Sequence, residues 1–220
     1  MGVHPERAAA HLDDARDVFA FLRDYQAPPF PGAIDRARAQ RGRAVYASAC
    51  ASCHGDYDDS VERPTLTSFP NWIGPYDTDP ARAQSFDQAV ADEVERSGYG
   101  DRLQARATHA YAAPPLAGLW ITAPYLHNGS APTLWHLMHP SERPQRFMVG
   151  GHRLDFARVG IDGVEDGDGG YVYRAGYEPW SRPAVIDTTQ RGLSNVGHAA
   201  EFEALTEAQK RDLLEYLKLL

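Results

Sequence analysis

The sequence predicts a mainly α fold, a helical domain interrupted by long loop insertions and carrying a small β-hairpin. Three observations carry that expectation. Apolar residues recur with helical periodicity at 8–25, 34–49, 85–97 and 206–220. Between these runs lie most of 16 prolines and 19 glycines, residues that stop helices and turn the backbone. The second run ends in a compact cluster, Cys50-Ala51-Ser52-Cys53-His54, that the other elements must be arranged around.

The first run places Leu12, Ala15, Phe19 and Leu22 on one helical face with Asp and Arg opposite. Gln26 to Gly32 (QAPPFPG) breaks it, because three closely spaced prolines cannot continue a helix. Residues 1–32 therefore read as a helix and stiff connector, and 33–220 as the main domain. A second helix is expected from Ile34 to Ala49 with Val45 and Tyr46 inward. The third, Ser85 to Ser97, has Ser85 as cap, Gly98 as stop and Phe86, Val90 and Val94 as its buried stripe.

From Val149 to Asp187 a Gly/Asp-rich turn separates short extended runs, the second being Gly170 to Arg174, which predicts the hairpin. Asp162, Glu165, Asp166 and Asp168 within it lack the spacing of an EF-hand and read as a solvated turn. The terminal helix is the clearest element. Thr206-Glu207-Ala208-Gln209 is a capping box, and Leu213, Leu214, Leu217 and Leu220 line one face. The sequence shows no internal repeat.

The C-x-x-C-H spacing of Cys50, Cys53 and His54 is the attachment signature of a c-type haem. In such a motif both thiols bond to the macrocycle's vinyl carbons, and the adjacent imidazole reaches the iron from one face. A redox dithiol calls for a preceding strand and a zinc site for a second ligand cluster, whereas here a helical run precedes and the chain has only 2 cysteines. One motif implies one covalent haem c. Pro64, in Arg63-Pro64-Thr65-Leu66, resembles the proline whose carbonyl holds the proximal histidine's Nδ1–H, with Leu66 beside it; an ordinary turn proline fits as well.

The far side of such an iron is closed by His or Met in an electron carrier and open in an oxygen- or peroxide-using centre. With Met1 terminal and His54 taken, the candidates are Met138 and Met148, and His109, His127, His136, His139, His152 and His198; His4 and His11 lie in the N-terminal extension.

A net charge of −8 argues against nucleic-acid binding and for a basic or neutral protein partner. No apolar run approaches the roughly 18 residues of a membrane span. Met1 to Ala10 has neither the basic start nor the apolar core of a signal peptide. Covalent haem attachment takes place outside the cytoplasmic membrane, so a periplasmic or otherwise extracytoplasmic location is expected and Met1 is expected to begin a processed, truncated or recombinant chain.

The run from Ala113 through Thr122-Ala123-Pro124-Tyr125-Leu126-His127-Asn128-Gly129-Ser130-Ala131-Pro132-Thr133-Leu134 resembles a signature of the bacterial dihaem cytochrome c peroxidase superfamily, most closely its rubber-oxygenase-like branch. The similarity continues through Glu142-Arg143-Pro144, Phe147, Asp187-Thr188-Thr189, Gly192, Ser194-Asn195 and Gly197-His198 to the terminal helix, covering most of 26–220. It implies a cytochrome c-like domain equivalent to the second, C-terminal haem domain of such proteins. In the rubber-oxygenase branch the far-side ligand falls on a histidine corresponding to His198, and in the peroxidases on a methionine near Met138. The Ser-Asn-Val-Gly-His context favours His198, although Leu193 stands where a polar residue is expected.

His127 is expected to shape the loop near the haem without ligating it. Trp120 and Tyr125 are expected to pack on the porphyrin, and Arg143 and Arg146 to pair with its propionates. Superfamily members carry a second, reactive haem in their N-terminal half. The resemblance therefore implies an electron-transfer protein, working with a redox protein or within a larger multi-haem complex. A haem-dependent peroxidase or oxygenase, or its haem-bearing fragment, is the alternative.

Overall fold

The computed structural model describes residues 4–74, 77–97 and 104–220. Its helices are α1 (Pro5–Ala9), α2 (Leu12–Asp24), α3 (Arg36–Ala49), α4 (Ala51–His54), α5 (Ala81–Ser85), α6 (Gln88–Arg96), α7 (Leu134–Met138), α8 (Ala199–Glu203) and α9 (Glu207–Leu217). Short 3-10 turns cover Leu119–Ile121 and Pro140–Glu142. Two compact units form: Met1–Ala27 with Ala83–His109, and Pro28–Arg82 with Ala110–Leu220.

In the smaller unit, α2 forms as its periodicity predicts. Its apolar face is not covered, since Phe19 is 72% exposed and Val18, Phe21 and Leu22 are exposed with it. The side chain of Leu12 lies outside the described residues. Helix α6 starts at Asp87, whose carboxylate accepts from Val90 N at 3.0 Å, and not at Ser85, which instead ends α5. A carboxylate is the stronger cap because it also meets the positive helix N-terminus. On α6 Ala91 is buried and Val94 half-buried while Phe86 and Val90 are exposed, so the expected stripe is not buried as a whole. Gly98, the expected stop, lies outside the described residues.

The larger unit is organised on α3 and α9. Asp35 caps α3 by accepting from Arg38 N, and the Thr206/Gln209 capping box opens α9. Gly42 brings the two helices together: a Cβ there would stand 1.9 Å from the backbone carbonyl oxygen of Asp212. Around that crossing Arg41 grips Asp212 through two hydrogen bonds of 2.8 and 2.9 Å, and Arg38 adds a third at 3.2 Å. Val45, Tyr46, Leu213, Leu214, Leu217 and Leu220 are buried as their periodicity predicts, and join Leu134 and Met138 in one core.

The strands are β1 (Asp56–Tyr57), β2 (Leu66–Ser68), β3 (Ile73–Gly74), β4 (Tyr111–Ala112), β5 (Arg146–Val149), β6 (Leu154–Asp155), β7 (Gly160–Ile161), β8 (Val164–Glu165), β9 (Gly170–Val172) and β10 (Ala184–Asp187). The expected hairpin is β8–β9, and it belongs to a four-stranded sheet of order β10-β5-β9-β8 in which only β5 and β9 run parallel. Three two-stranded pairs complete the set. The expectation of a mainly α fold is met only loosely: 36% of the structure is helical, and several small strands accompany the helices. The insertions are pinned by short antiparallel ladders, which their Gly and Pro content disguises in the sequence.

In the turn of this hairpin Asp166 accepts from the backbone N–H groups of Asp168 and Gly170, Glu165 pairs with Arg158, and Asp162 pairs with Arg174. No helix is long and apolar enough to cross a membrane, among the described residues.

Candidate functional site

At the end of α3 the chain turns through Cys50 into α4, which carries Cys53 and His54 one short helix later. Gly55 stops it with φ +90°, where a Cβ would meet the Ser68 carbonyl oxygen at 2.5 Å, so only glycine fits the turn. Tyr46, buried on α3, donates its hydroxyl to Gly55 O at 2.9 Å and fixes that turn from inside.

The imidazole of His54 is oriented from a distant segment. Its Nδ1 lies 2.7 Å from the carbonyl oxygen of Pro114, and this segment is in turn tied down by Leu116 N–H donating to the Tyr57 hydroxyl at 2.8 Å. The role expected of Pro64 therefore belongs to Pro114. Pro64 is buried in the β1–β2 connection and Leu66 pairs with Tyr57 across the ladder, and neither lines the cavity described next. With Nδ1–H given to a carbonyl, Nε2 is the nitrogen left to face outward. Burial lowers the His54 pKa despite the opposing pull of Pro114, which keeps the imidazole in the neutral form a metal requires.

Cys50, Cys53 and His54 line a cavity of about 670 Å³, walled by leucines of the 116–137 segment and of α9 together with Phe202. This size falls within the roughly 300–1,000 Å³ typical of cofactor sites. Burial pushes the Cys50 thiol up to about 12, with Glu201 and Cys53 adding to the effect. A redox dithiol has a depressed thiol pKa, so this one is a poor nucleophile and reads as an attachment point.

Across the cavity stands His198. Gly197 (φ +125°) and His198 (φ +57°) make two consecutive left-handed residues before α8, a kink that turns the imidazole inward. Burial lowers its pKa to about 4, helped by His54 and Arg143. The His54 and His198 ring centroids are 6.2 Å apart with planes inclined by 28°, too far for direct stacking. A ring nitrogen lies about 1.1 Å from its centroid and metal–imidazole bonds are about 2.0–2.1 Å, so imidazoles on opposite sides of one metal have centroids about 6.3 Å apart. The donor set and its spacing fit a haem iron.

The other expected residues divide. Tyr125 lines the cavity, but its hydroxyl is spent on Leu119 O at 3.1 Å. Trp120 does not line it. The 3-10 turn that presents Leu119 directs the indole to Pro28 O at 2.9 Å and edge-on to Phe30. Arg143 also turns elsewhere, donating to the carbonyls of His136, Leu137 and Asn195 and so clamping α7 to the loop before α8. Burial lowers its pKa to about 10. Arg146 is exposed on β5. Met138 is buried in the core and is not among the cavity-lining residues.

His127 lines the cavity, with Nδ1 3.4 Å from Thr78 Oγ1 and its ring centroid 4.1 Å from that of Tyr111. Next to it, Asn128 bonds the carbonyls of Gly192 and Ser194, drawing the 192–198 loop into place. Sequence reasoning missed Asp79, which accepts from the backbone of Ala81, Gly192 and Ser194 and so ties the start of α5 to that same loop. It also missed Pro114, Tyr57 and Arg82. The Pro-Pro pair at 114–115 was the one visible sign of a rigid segment there.

With this geometry in place, residues 37–100 match the family model described as cytochrome C oxidase, cbb3-type, subunit III, and residues 110–148 match that described as RoxA-like, cytochrome c-like. The chain carries a cytochrome c-like haem domain. Such domains imply covalently bound haem c, and the second match supports the RoxA-like branch. Neither description names the dihaem peroxidase superfamily.

Among curated proteins the domain is similar to two from Sinorhizobium fredii (strain NBRC 101917 / NGR234). Uncharacterized protein y4iM is 34% identical over 171 residues, covering 65% of this chain and 38% of the relative. Uncharacterized protein y4iJ is 28% identical over 283 residues, covering 98% of this chain and 44% of the relative. The chain thus spans less than half the length of either relative.

Proposed function

We propose that this domain holds one covalently bound haem c between His54 and His198 and exchanges electrons with a redox partner, a protein or a larger multi-haem complex, outside the cytoplasmic membrane. The observation that carries the reading is the pair of imidazoles facing across one apolar cavity at the separation two ligands of one iron require. Cys50 and Cys53 would hold the group covalently, each S–H adding across a vinyl group with sulfur to one carbon and hydrogen to the other, so that attachment would consume no oxidant. His54, fixed by Pro114, and His198, fixed by the Gly197 kink, would hold the iron through one ring nitrogen each. The bound group supplies a one-electron Fe(III)/Fe(II) couple.

The leucine wall makes the cavity largely apolar, and histidines holding the iron from both sides would leave no position for peroxide or oxygen, which favours electron transfer over the peroxidase or oxygenase alternative. The domain's place as the electron-relay half of a dihaem-peroxidase-like protein rests on the Ala113–Leu134 resemblance. The net charge of −8 suits a basic docking partner.

Intact mass and a pyridine haemochrome assay of protein matured with a haem-attachment system test the reading. One haem per chain, lost in Cys50→Ser/Cys53→Ser, is expected; none, or more than one, contradicts it.

A further inference from the structure

The axial histidines and the two thiols leave one part of a haem unassigned: its two propionate carboxylates. An ionised carboxylate placed against an apolar wall needs a cation or strong donors beside it. The residues the sequence offered for this, Arg143 and Arg146, do not line the cavity.

Arg82 does, and it is the one Lys or Arg among the described residues that line it. It sits on α5, exposed at the cavity's edge, and its Nη1 donates to the carbonyl oxygen of His127 at 2.9 Å. That contact brings the guanidinium beside the His127 ring, whose Nε2 is buried with no hydrogen-bond partner among the described residues. The Thr78 hydroxyl already donates to Val196 O at 2.9 Å, so the 3.4 Å contact from His127 uses Nδ1–H and leaves Nε2 for another group. At the attachment edge the Glu201 carboxylate acts on Cys50 with no Lys or Arg lining that edge, whereas the Asp79 carboxylate that acts on His127 is joined there by the Arg82 guanidinium. In a haem the vinyl groups lie away from the propionates, so polarity and attachment agree on which end is which.

We propose that Arg82 and His127 form the subsite for the haem propionates, resting on the haem reading above. Arg82 takes one carboxylate through its planar fork. The other propionate, in its protonated acid form, donates its O–H to His127 Nε2. Together they make these residues determinants of the iron's potential, because a cation at the propionates disfavours the extra positive charge of the ferric state.

The test compares the holoprotein with Arg82→Gln, Arg82→Lys and His127→Phe, reading the propionate bending band by resonance Raman and the midpoint potential by spectroelectrochemistry. All keep covalent low-spin haem. In Arg82→Gln the band shifts and the ferric/ferrous ratio at fixed potential rises about tenfold, a fall of about 59 mV. Arg82→Lys keeps the charge but not the fork, so it shifts the band with a smaller change in potential, and His127→Phe shifts the band. Haem present with an unchanged band in Arg82→Gln and His127→Phe overturns the inference, even where the potential moves through long-range charge alone. Absence of covalent haem from the unaltered protein overturns both this inference and the reading beneath it.

Discussion

The carbonyl oxygen of Pro114 lies 2.7 Å from Nδ1 of His54, across 60 residues of chain. Those two residues close the loop between the two halves of the haem domain, and each half matches a different cytochrome c family model. The contact works only while the 114–116 segment is held, and Tyr57 holds it.

Tyr57→Phe removes the acceptor for Leu116 N–H and leaves that half-buried donor unpaired. A loss of about 1–3 kcal/mol is expected in urea unfolding of the holoprotein. The weakened Pro114 contact should also make His54 a poorer donor to iron and raise the midpoint potential, a change that a purely structural loss would not produce.

Gly42→Ala places a methyl group where the Asp212 carbonyl stands. The α3–α9 crossing must open, at a cost of about 3 kcal/mol. Thermal unfolding followed by circular dichroism checks this, and an unchanged melting temperature would contradict the packing described for that crossing.

The pH dependence of stability should carry a contribution from Glu207. His139 and Lys210 hold its carboxyl down to about 2, against an ordinary value of 4.5. Because the folded-state value is depressed, the contribution is complete above pH 4.5 and is lost as pH falls through 2. The stability difference between the unaltered protein and Glu207→Gln should therefore shrink as pH falls from 4.5 through 2. A difference that grows on acidification would contradict it.

What was legible in the sequence was local. The C-x-x-C-H cluster, the Thr206 capping box and the inward faces of α3 and α9 each depend on residues within one or two helical turns, where spacing determines neighbours. That His198 stands across the cavity from His54 was legible only by resemblance, since what places it there is the left-handed kink at Gly197-His198 and the distant hub at Asp79. Pro64 looked suitable for His54 because it follows closely, but the β1–β2 ladder carries it elsewhere and a long-range contact supplies the carbonyl.

Trp120 and Arg143 misled for a shared reason. Both are residues whose polar groups seek any buried acceptor, and backbone carbonyls at Pro28, His136, Leu137 and Asn195 satisfied them away from the cavity. Composition and periodicity carry no information on which acceptor wins.

The central claim is that His198 closes the iron opposite His54. Low-temperature electron paramagnetic resonance of the oxidised protein, set beside His198→Ala and Met138→Ala, tests it most directly. A low-spin bis-histidine signal is expected in the unaltered protein and in Met138→Ala, turning high-spin in His198→Ala. A high-spin unaltered protein, or a low-spin signal that survives His198→Ala and is lost in Met138→Ala, would contradict it.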